Sequence, residues 1–579
     1  MDAFTPPLSD IATAFDLVGL DELLALEPFA HVERGVVDEL LAEFGRLAAG
    51  VIAPTDREGD QVGSRLDIGS GAVTTPPSVR PAYQAIVDGG WNAPGADLEF
   101  GGGGLPAVVA VAVQEMLTSA NMALSLCPML TQTAAELLSA RGDERQRTVF
   151  LPRLVSGEWT GTMNLTEPDA GSDVGAVRTR AERDEQGNWR VTGTKIFITW
   201  GEHDLADNIV HFVLARTPGA APGTKGLSLF LVPKVLVGDD GSLGEANGVR
   251  CVKLEEKVGI HLSPTCVLEY DGALAELVGE EAEGMAGMFT MMNAARRAVA
   301  IQGLAVGERA LQQAERYAAE RVQGAAVDAP AGARSPIAEH PDVRRMLLTM
   351  RALVVGMRHL VYATAYAADV ARAHPDGATR ERADARLNLL TPIAKAWCTD
   401  TGVAVSSLAV QVFGGMGYIE EAGVAQRWRD SRIAPIYEGT NGIQAIDLVT
   451  RKVRRDKGEA MSSLLDEIGA TVAQLEEAGG GLAPCAELLR ASAATLQEAT
   501  DWMLARAPEE QADVLAGATS YLELCGLVVA GWMHARAALA PDASASTVAL
   551  CTFYATEVLP RATGLLVPVT AGAARLAAL

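Results

Sequence analysis

The stretch from Thr160 to Tyr270 limits the fold of this chain more than any other feature. Within it apolar residues stop recurring at helical spacing and gather into short runs: Val191–Ile198, Ile209–Ala215, Leu227–Val232 and Thr265–Tyr270. Gly, Pro, Asp and Asn separate the runs and no helical pattern intervenes, which predicts an antiparallel sheet or barrel. Helical periodicity holds on both sides. Upstream, from Val36 to about Trp159, Leu40, Leu41, Phe44 and Leu47 share one face. Helices return from about Gly284. Val343, Leu347, Met350, Val354, Met357 and Val361 form a stripe after His340-Pro341, with Asp342 as candidate cap. His359 on this helix reads as a packed or surface histidine.

At 579 residues the chain exceeds one core. The periodicities divide it into an N-terminal extension (1–35), a helical domain (36–159), a β domain (160–280) and a helical bundle (281–452). A charged, glycine-containing link then leads to a C-terminal helical domain (453–579). There Leu464, Ile468, Val472 and Leu475 share one face, and Val514, Ala518, Tyr521, Cys525 and Val529 another. The predicted class is α+β, mainly α. Abundant Ala and Leu favour this, since they lose least on entering a helix.

The formal charge of −25 argues against a nucleic-acid or anionic-membrane platform. Seven scattered cysteines include no C-x-x-C pair, so neither a metal site nor a disulfide framework is expected, and a reducing cytoplasm fits. The N-terminus lacks the basic start and apolar run of a signal peptide. The longest strongly apolar stretch, around Cys525–Met533, is too short to span a bilayer. The expectation is a soluble cytoplasmic protein with no membrane insertion.

Two segments carry chemistry. Residues 163–173, Met-Asn-Leu-Thr-Glu-Pro-Asp-Ala-Gly-Ser-Asp, begin as a strand and end in a turn around Pro168–Ser172. Residues 432–444, Arg-Ile-Ala-Pro-Ile-Tyr-Glu-Gly-Thr-Asn-Gly-Ile-Gln, set one carboxylate, Glu438, behind Ile433, Ala434, Pro435 and Ile436. A carboxylate in apolar surroundings is desolvated, and its pKa rises towards a range useful for a base. Gly439 lets a ligand approach the backbone closely. In isolation the first segment is an ordinary polar turn and the second an ordinary loop glutamate.

Together, in this order, the segments resemble the two signatures of the acyl-CoA dehydrogenase family. The resemblance covers about residues 36–450. Members use FAD to remove hydrogens from Cα and Cβ of an acyl thioester. The resemblance implies that Glu438 takes the Cα proton while the flavin accepts hydride from Cβ, giving a trans-2-enoyl-CoA. The oxyanion donors it implies are the Glu438 main-chain N–H and a ribityl hydroxyl of FAD. Some members carry the base on an earlier helix, before an arginine that Arg296 resembles. Here that position is Ala295, which cannot accept a proton.

The resemblance also assigns contacts. Met163, Leu165, Thr166, Gly171 and Ser172 would meet FAD, and Phe197, Ile198 and Thr199 match the Trp-Ile-Thr segment that covers the flavin ring. Phe for Trp keeps the aromatic platform and loses an N–H donor. Thr440 and Asn441 join the FAD set. Arg321, Gln411, Gly414 and Gly415 would serve the diphosphate or adenosine end across a subunit contact, which implies a homodimer. Ser172, Asn293, Arg296, Tyr437 and Gly439 would line the substrate's thioester and CoA path. An electron-transferring flavoprotein would reoxidise the flavin. One departure stands out: Val322-Gln323-Gly324 replaces the usual Phe-Gly after Arg321, and a Pro/Ala/Gly-rich loop follows before His340.

The extension, the C-terminal domain and phrases such as Gly201-Glu-His-Asp-Leu look like a longer bacterial branch. That branch includes 3-methylthiopropanoyl-CoA dehydrogenases and enzymes of straight-chain acyl-CoA. Two other readings stand beside it, an acyl-CoA oxidase using dioxygen and a DNA-associated relative, which needs a basic face. The remaining motifs read as structure. Phe100–Pro106 is a turn between helices. Gly414–Gly417 lacks the strand and spacing of a dinucleotide loop, and Glu202-His203-Asp204 is a solvated turn.

Overall fold

Among the described residues, seven strands form the central sheet: β1 (Trp159–Asn164), β2 (Arg180–Arg183), β3 (Trp189–Thr199), β4 (Asn208–Arg216), β5 (Leu227–Pro233), β6 (Val249–Leu254) and β7 (Thr265–Leu277). Their order is β6-β7-β3-β2-β4-β1, and β5 pairs with both β7 and β4. The pairings β7-β3-β2-β4-β5-β7 therefore close a ring, with a single residue pair, Arg180 opposite Arg216, joining β2 to β4. Most pairings are antiparallel. The exceptions involve β4, which runs parallel to β2 and to β1, Trp159 facing Asn208 through Asn164 facing Val213.

Residues 3–330 and 332–577 are described by this computed structural model; Met1, Asp2, Ala331, Ala578 and Leu579, including the start of the N-terminal extension, lie outside them. Two compact units emerge, one of Glu43–Leu105 with Met116–Ala298, the other of Met1–Ala42, Pro106–Glu115 and Val299–Leu579. The helices that matter here are α1 (Leu8–Val18), α2 (Met122–Arg141), α3 (Gly284–Glu320), α4 (Pro341–Ala373), α5 (Gly377–Phe413), α6 (Asn441–Asp447), α7 (Glu459–Ala478), α8 (Ala483–Ala505) and α9 (Gln511–Ala538).

In the sheet-bearing unit, β4 and β5 are apolar on both faces because two cores bury them. Phe212, Leu214, Leu229 and Leu231 face a core completed by Leu137, Leu138, Phe150, Trp159, Met288 and Met291. Val213, Ala215, Phe230 and Val232 point the other way, into a core with Val191, Leu268 and Ala273.

In the helical unit, Arg358 of α4 is buried and pairs with Glu115 and Glu308 at 2.7 Å each. Asp10 of α1 completes the cluster at 3.3 Å. The expected faces of α7 and α9 are buried as sets. Trp532 of α9 donates to Thr471 of α7 at 2.8 Å, and the His534 ring meets the Ala352 carbonyl of α4 at 2.9 Å. The apolar length of this region was underestimated from sequence. Helices Pro341–Ala373 and Pro508–Ala538 are long and apolar enough to cross a membrane, yet 67% and 72% of their apolar windows are buried within the protein.

Local expectations changed in two places. His340, not Asp342, occupies the N-cap of α4, Pro341 opens the helix, and Asp342 pairs with Arg345 at 2.8 Å. Glu202-His203-Asp204 is a buried network rather than a solvated turn. The His203 Nε2 meets Thr160 Oγ1 at 2.9 Å, Glu202 pairs with Lys234, and Asp204 accepts from the Thr75 hydroxyl at 2.8 Å. Burial, aided by the Lys234 charge, lowers the His203 pKa to about 3, so the ring is neutral. Among the described residues, no group of three potential ligands is placed to hold a metal.

Candidate active site

The first signature is set by strand alternation and one buried ion pair. Thr162 and Asn164 of β1 point into the unit, leaving Met163 half-buried on the other face. Asn164 accepts from the Tyr270 hydroxyl at 2.9 Å and donates to Thr162 Oγ1 at 2.9 Å. Leu165 and Thr166 follow, both half-buried, and the Thr166 carbonyl accepts from the Ile196 amide of β3 at 2.9 Å. Glu167 then turns inward. Its carboxylate receives Lys195 Nζ at 2.8 Å, the Arg178 amide at 2.7 Å and the Thr179 amide at 3.0 Å. Burial works to raise the Glu167 pKa, but Lys195 and the other donors outweigh it and hold it below its ordinary value. Burial lowers Lys195 to about 8 against the pull of Glu167. Glu167 and Ala170 exchange backbone hydrogen bonds at 3.1 and 3.0 Å, closing the turn and leaving Gly171 and Ser172 exposed.

At the end of β3 the backbone breaks its strand geometry. Phe197 has φ 60° and Trp200 φ 53°, left-handed values that β-rich aromatic residues rarely adopt. Trp200 is buried and donates to the Ala123 carbonyl of α2 at 3.1 Å, and Ile198 is buried beside it. Phe197 is instead 58% exposed. The strained backbone turns an aromatic ring into solvent next to Ile196, whose amide is bonded to the Thr166 carbonyl. An exposed aromatic ring offers a face for stacking against a planar ring system such as a flavin. On α3, in the same unit, Arg296 is buried and Asn293 exposed, with Arg296 Nη1 donating to Asn293 Oδ1 at 3.3 Å. Ala295 is fully buried and offers no carboxylate.

Glu438 lies in the helical unit, in the turn between Ser431 and α6. It too is left-handed, at φ 56°, and Gly439 follows at φ 83°. A non-glycine residue held there costs roughly 1–3 kcal/mol and persists only where its surroundings dictate it. Here they do. Tyr437 anchors one side through its hydroxyl, which donates to Gln302 Oε1 of α3. Burial, with Glu438 adding to it, pushes the Tyr437 pKa up and keeps the phenol neutral. On the other side the Asn441 amide returns to the Pro435 carbonyl at 2.9 Å, and Thr440 Oγ1 caps α6 by accepting from the Ile443 amide at 3.2 Å. From α5, buried Lys395 donates to the Gly439 carbonyl and to Asn441 Oδ1, both at 2.9 Å.

Arg321 follows the end of α3 and Gln411 lies in the last turn of α5, both in this unit. Tyr317 of α3 stacks on Phe413 of α5 with centroids 4.0 Å apart, so the ends of both helices meet. Gln411, Gly414 and Gly415 are exposed there. The loop after Arg321 is pinched at its neck, Ile337 donating to the Arg321 carbonyl at 2.7 Å and Gln323 to Ser335 at 3.1 Å. The glycine cluster follows a helix, not a strand, which disposes of a dinucleotide loop. At Gly102, in the other glycine run, an added Cβ would sit 2.1 Å from the Ala96 carbonyl oxygen, so this is a packed turn.

Sequence reading missed Glu167, Lys195, Gln302 and Lys395. The signals were present for two of them. Lys195 shares the inward face of β3 with Val191, and Lys395 is a lone charge within the apolar run Leu389–Cys398.

A flavoprotein dehydrogenase acting on a CH–CH bond requires a base and a flavin; Glu438 on its fixed backbone turn and the exposed ring of Phe197 are candidates for those two needs. Comparison with known proteins narrows the class. Family models match nearly the whole chain: acyl-CoA dehydrogenase N-terminal domain over 42–158, middle domain over 162–273, C-terminal domain over 282–453, and acetyl-CoA dehydrogenase C-terminal like over 464–579. The chain belongs to the acyl-CoA dehydrogenase family and is an FAD-dependent oxidoreductase. It is 45% identical over 541 residues to a 3-methylmercaptopropionyl-CoA dehydrogenase of Ruegeria pomeroyi, covering 93% of this chain and 92% of the relative. The broad-specificity linear acyl-CoA dehydrogenase FadE5 of Mycobacterium tuberculosis is 35% identical, with 94% of each chain covered. Among solved structures, Caenorhabditis elegans ACDH-11 in complex with C11-CoA shares the fold at TM-score 0.81 and 21% identity, over 96% of this chain and 92% of that one.

Proposed function

We propose that this enzyme dehydrogenates 3-methylthiopropanoyl-CoA or a straight-chain acyl-CoA, with Glu438 as the base. The observation that carries the reading is the left-handed turn at Glu438, fixed between Tyr437 on Gln302 and Gly439 on Lys395. The Glu438 carboxylate removes the Cα proton, and its main-chain N–H donates to the thioester oxygen, where negative charge develops. Bound FAD supplies the hydride acceptor for Cβ. Phe197, Met163, Leu165 and Thr166 would hold the flavin, and Ser172 and Arg296 would hold the CoA moiety of the substrate. The 45% identity to the Ruegeria enzyme supports the methylthio substrate, and the FadE5 likeness supports straight chains. Turnover of a panel of acyl-CoA thioesters with an artificial electron acceptor tests this, with the methylthio and short straight-chain substrates expected to give the highest kcat/KM. No turnover of any member would overturn the reading.

The same reading gives a cytoplasmic homodimer that passes electrons to an electron-transferring flavoprotein. Next to Gln411 and Gly415, Met416 is 47%, Tyr418 88% and Ile419 44% exposed, an apolar strip suited to cover by a second copy. A monomer in sedimentation, loaded with FAD and active, would contradict the dimer.

A further inference from the structure

We propose that Lys395 is a positioning residue for Glu438: it clamps the backbone just after the base and so fixes the direction of the carboxylate. The inference rests on the assignment of Glu438 as base. Lys395 projects from α5 with no exposed surface, and its Nζ donates to the Gly439 carbonyl and to Asn441 Oδ1, both at 2.9 Å. Those two bonds bracket the turn. Gly439 follows Glu438 directly, and Asn441 opens α6. The Asn441 amide group turns back to α5, donating to the Ala396 carbonyl at 3.1 Å and to Thr399 Oγ1 at 3.0 Å. One lysine and one asparagine therefore splice the base turn onto a single long helix.

The turn needs such a clamp because two consecutive left-handed residues are held there, and Glu438 has no intrinsic preference for that region. The carbonyl that Lys395 holds belongs to the second of them, so releasing it frees the peptide geometry on which the Glu438 side chain depends. Gln444 Nε2 also reaches the Gly439 carbonyl, at 3.3 Å, and this longer bond remains when Lys395 is replaced. The turn is then tethered more loosely while the fold around it persists. An ammonium donates along three directions and suits two separate oxygens. A methionine of similar length fills the space and donates to neither.

The test uses the FAD-loaded enzyme. Lys395→Met is expected to bind FAD and acyl-CoA as before but to reduce its flavin about 10²-fold more slowly, the scale of loss from displacing a reacting group by about 1 Å. Proton removal becomes more limiting, so the isotope effect with Cα-deuterated substrate rises. Thr399→Val, which removes one anchor of Asn441, is expected to move both quantities the same way by less. Residues acting as a unit are non-additive, so Lys395→Met combined with Glu438→Gln is expected to be no slower than Glu438→Gln alone. Wild-type flavin reduction and isotope effect in Thr399→Val and Lys395→Met would overturn the proposal, as would multiplicative losses in the double variant. If Lys395→Met does not fold, an unchanged isotope effect in Thr399→Val overturns it. If Glu438→Gln itself reduces flavin normally, the base assignment fails instead, and the two failures are told apart.

Discussion

Lys195 Nζ lies 2.8 Å from Glu167 Oε1, and this pair holds the turn of the first signature against β3. Both side chains are buried, so removing one partner leaves an uncompensated charge. Lys195→Met is expected to lose roughly 3–5 kcal/mol of stability. It should also release FAD more readily, because Thr166–Ser172 loses its anchor. Chemical denaturation together with flavin retention on gel filtration checks both; a variant as stable as wild type would show the pair to be dispensable.

His261 gives a pH signature. Its Nδ1 is 2.9 Å from Asp60 Oδ1 and 2.9 Å from the Asp60 carbonyl, and its Nε2 is 2.9 Å from the Lys257 carbonyl. Both nitrogens face acceptors, which suits the imidazolium. The hydrogen bond to Asp60 outweighs burial and raises the pKa from 6.5 to about 9. The folded state thus keeps a proton that the unfolded chain releases. The stabilisation is complete below about pH 6.5 and disappears as pH rises through about 9. The gap in urea midpoint between wild type and His261→Gln should be wide at the acid end of this window and closed at the alkaline end. A gap independent of pH would contradict the assignment.

Much of this was legible in the sequence because periodicity reports burial directly. The apolar runs at Ile209–Ala215 and Leu227–Val232 became β4 and β5, and their lack of alternation reflects the two cores they separate. β2 was not legible: Arg180-Ala-Glu-Arg has one buried residue in four and owes its strand geometry to pairing with β3. The parallel pairing of β1 with β4 was hidden for a similar reason, since register across the intervening residues is a tertiary property. Glu438 was singled out through the motif around it. Its left-handed φ, and the lysine that fixes the next carbonyl, depend on α5 and leave no local trace.

Phe197 separates cofactor binding from stability. Its side chain is exposed, so Phe197→Ala should change folding stability by no more than about 0.5 kcal/mol. Losing an aromatic stack worth about 0.5–1.5 kcal/mol should weaken FAD binding by up to about tenfold. Titrating the apoprotein with FAD by fluorescence checks this, and unchanged affinity would remove Phe197 from the flavin surface.

Glu438 carries the central claim, and the most direct measurement is anaerobic stopped-flow bleaching of the flavin in Glu438→Gln. The amide is nearly isosteric, so FAD content and acyl-CoA binding should persist while the proton acceptor is gone. Ala295 offers no substitute at the alternative base position. The account predicts flavin reduction slower by roughly 10²–10⁴-fold or more. Bleaching at the wild-type rate would remove Glu438 from the mechanism.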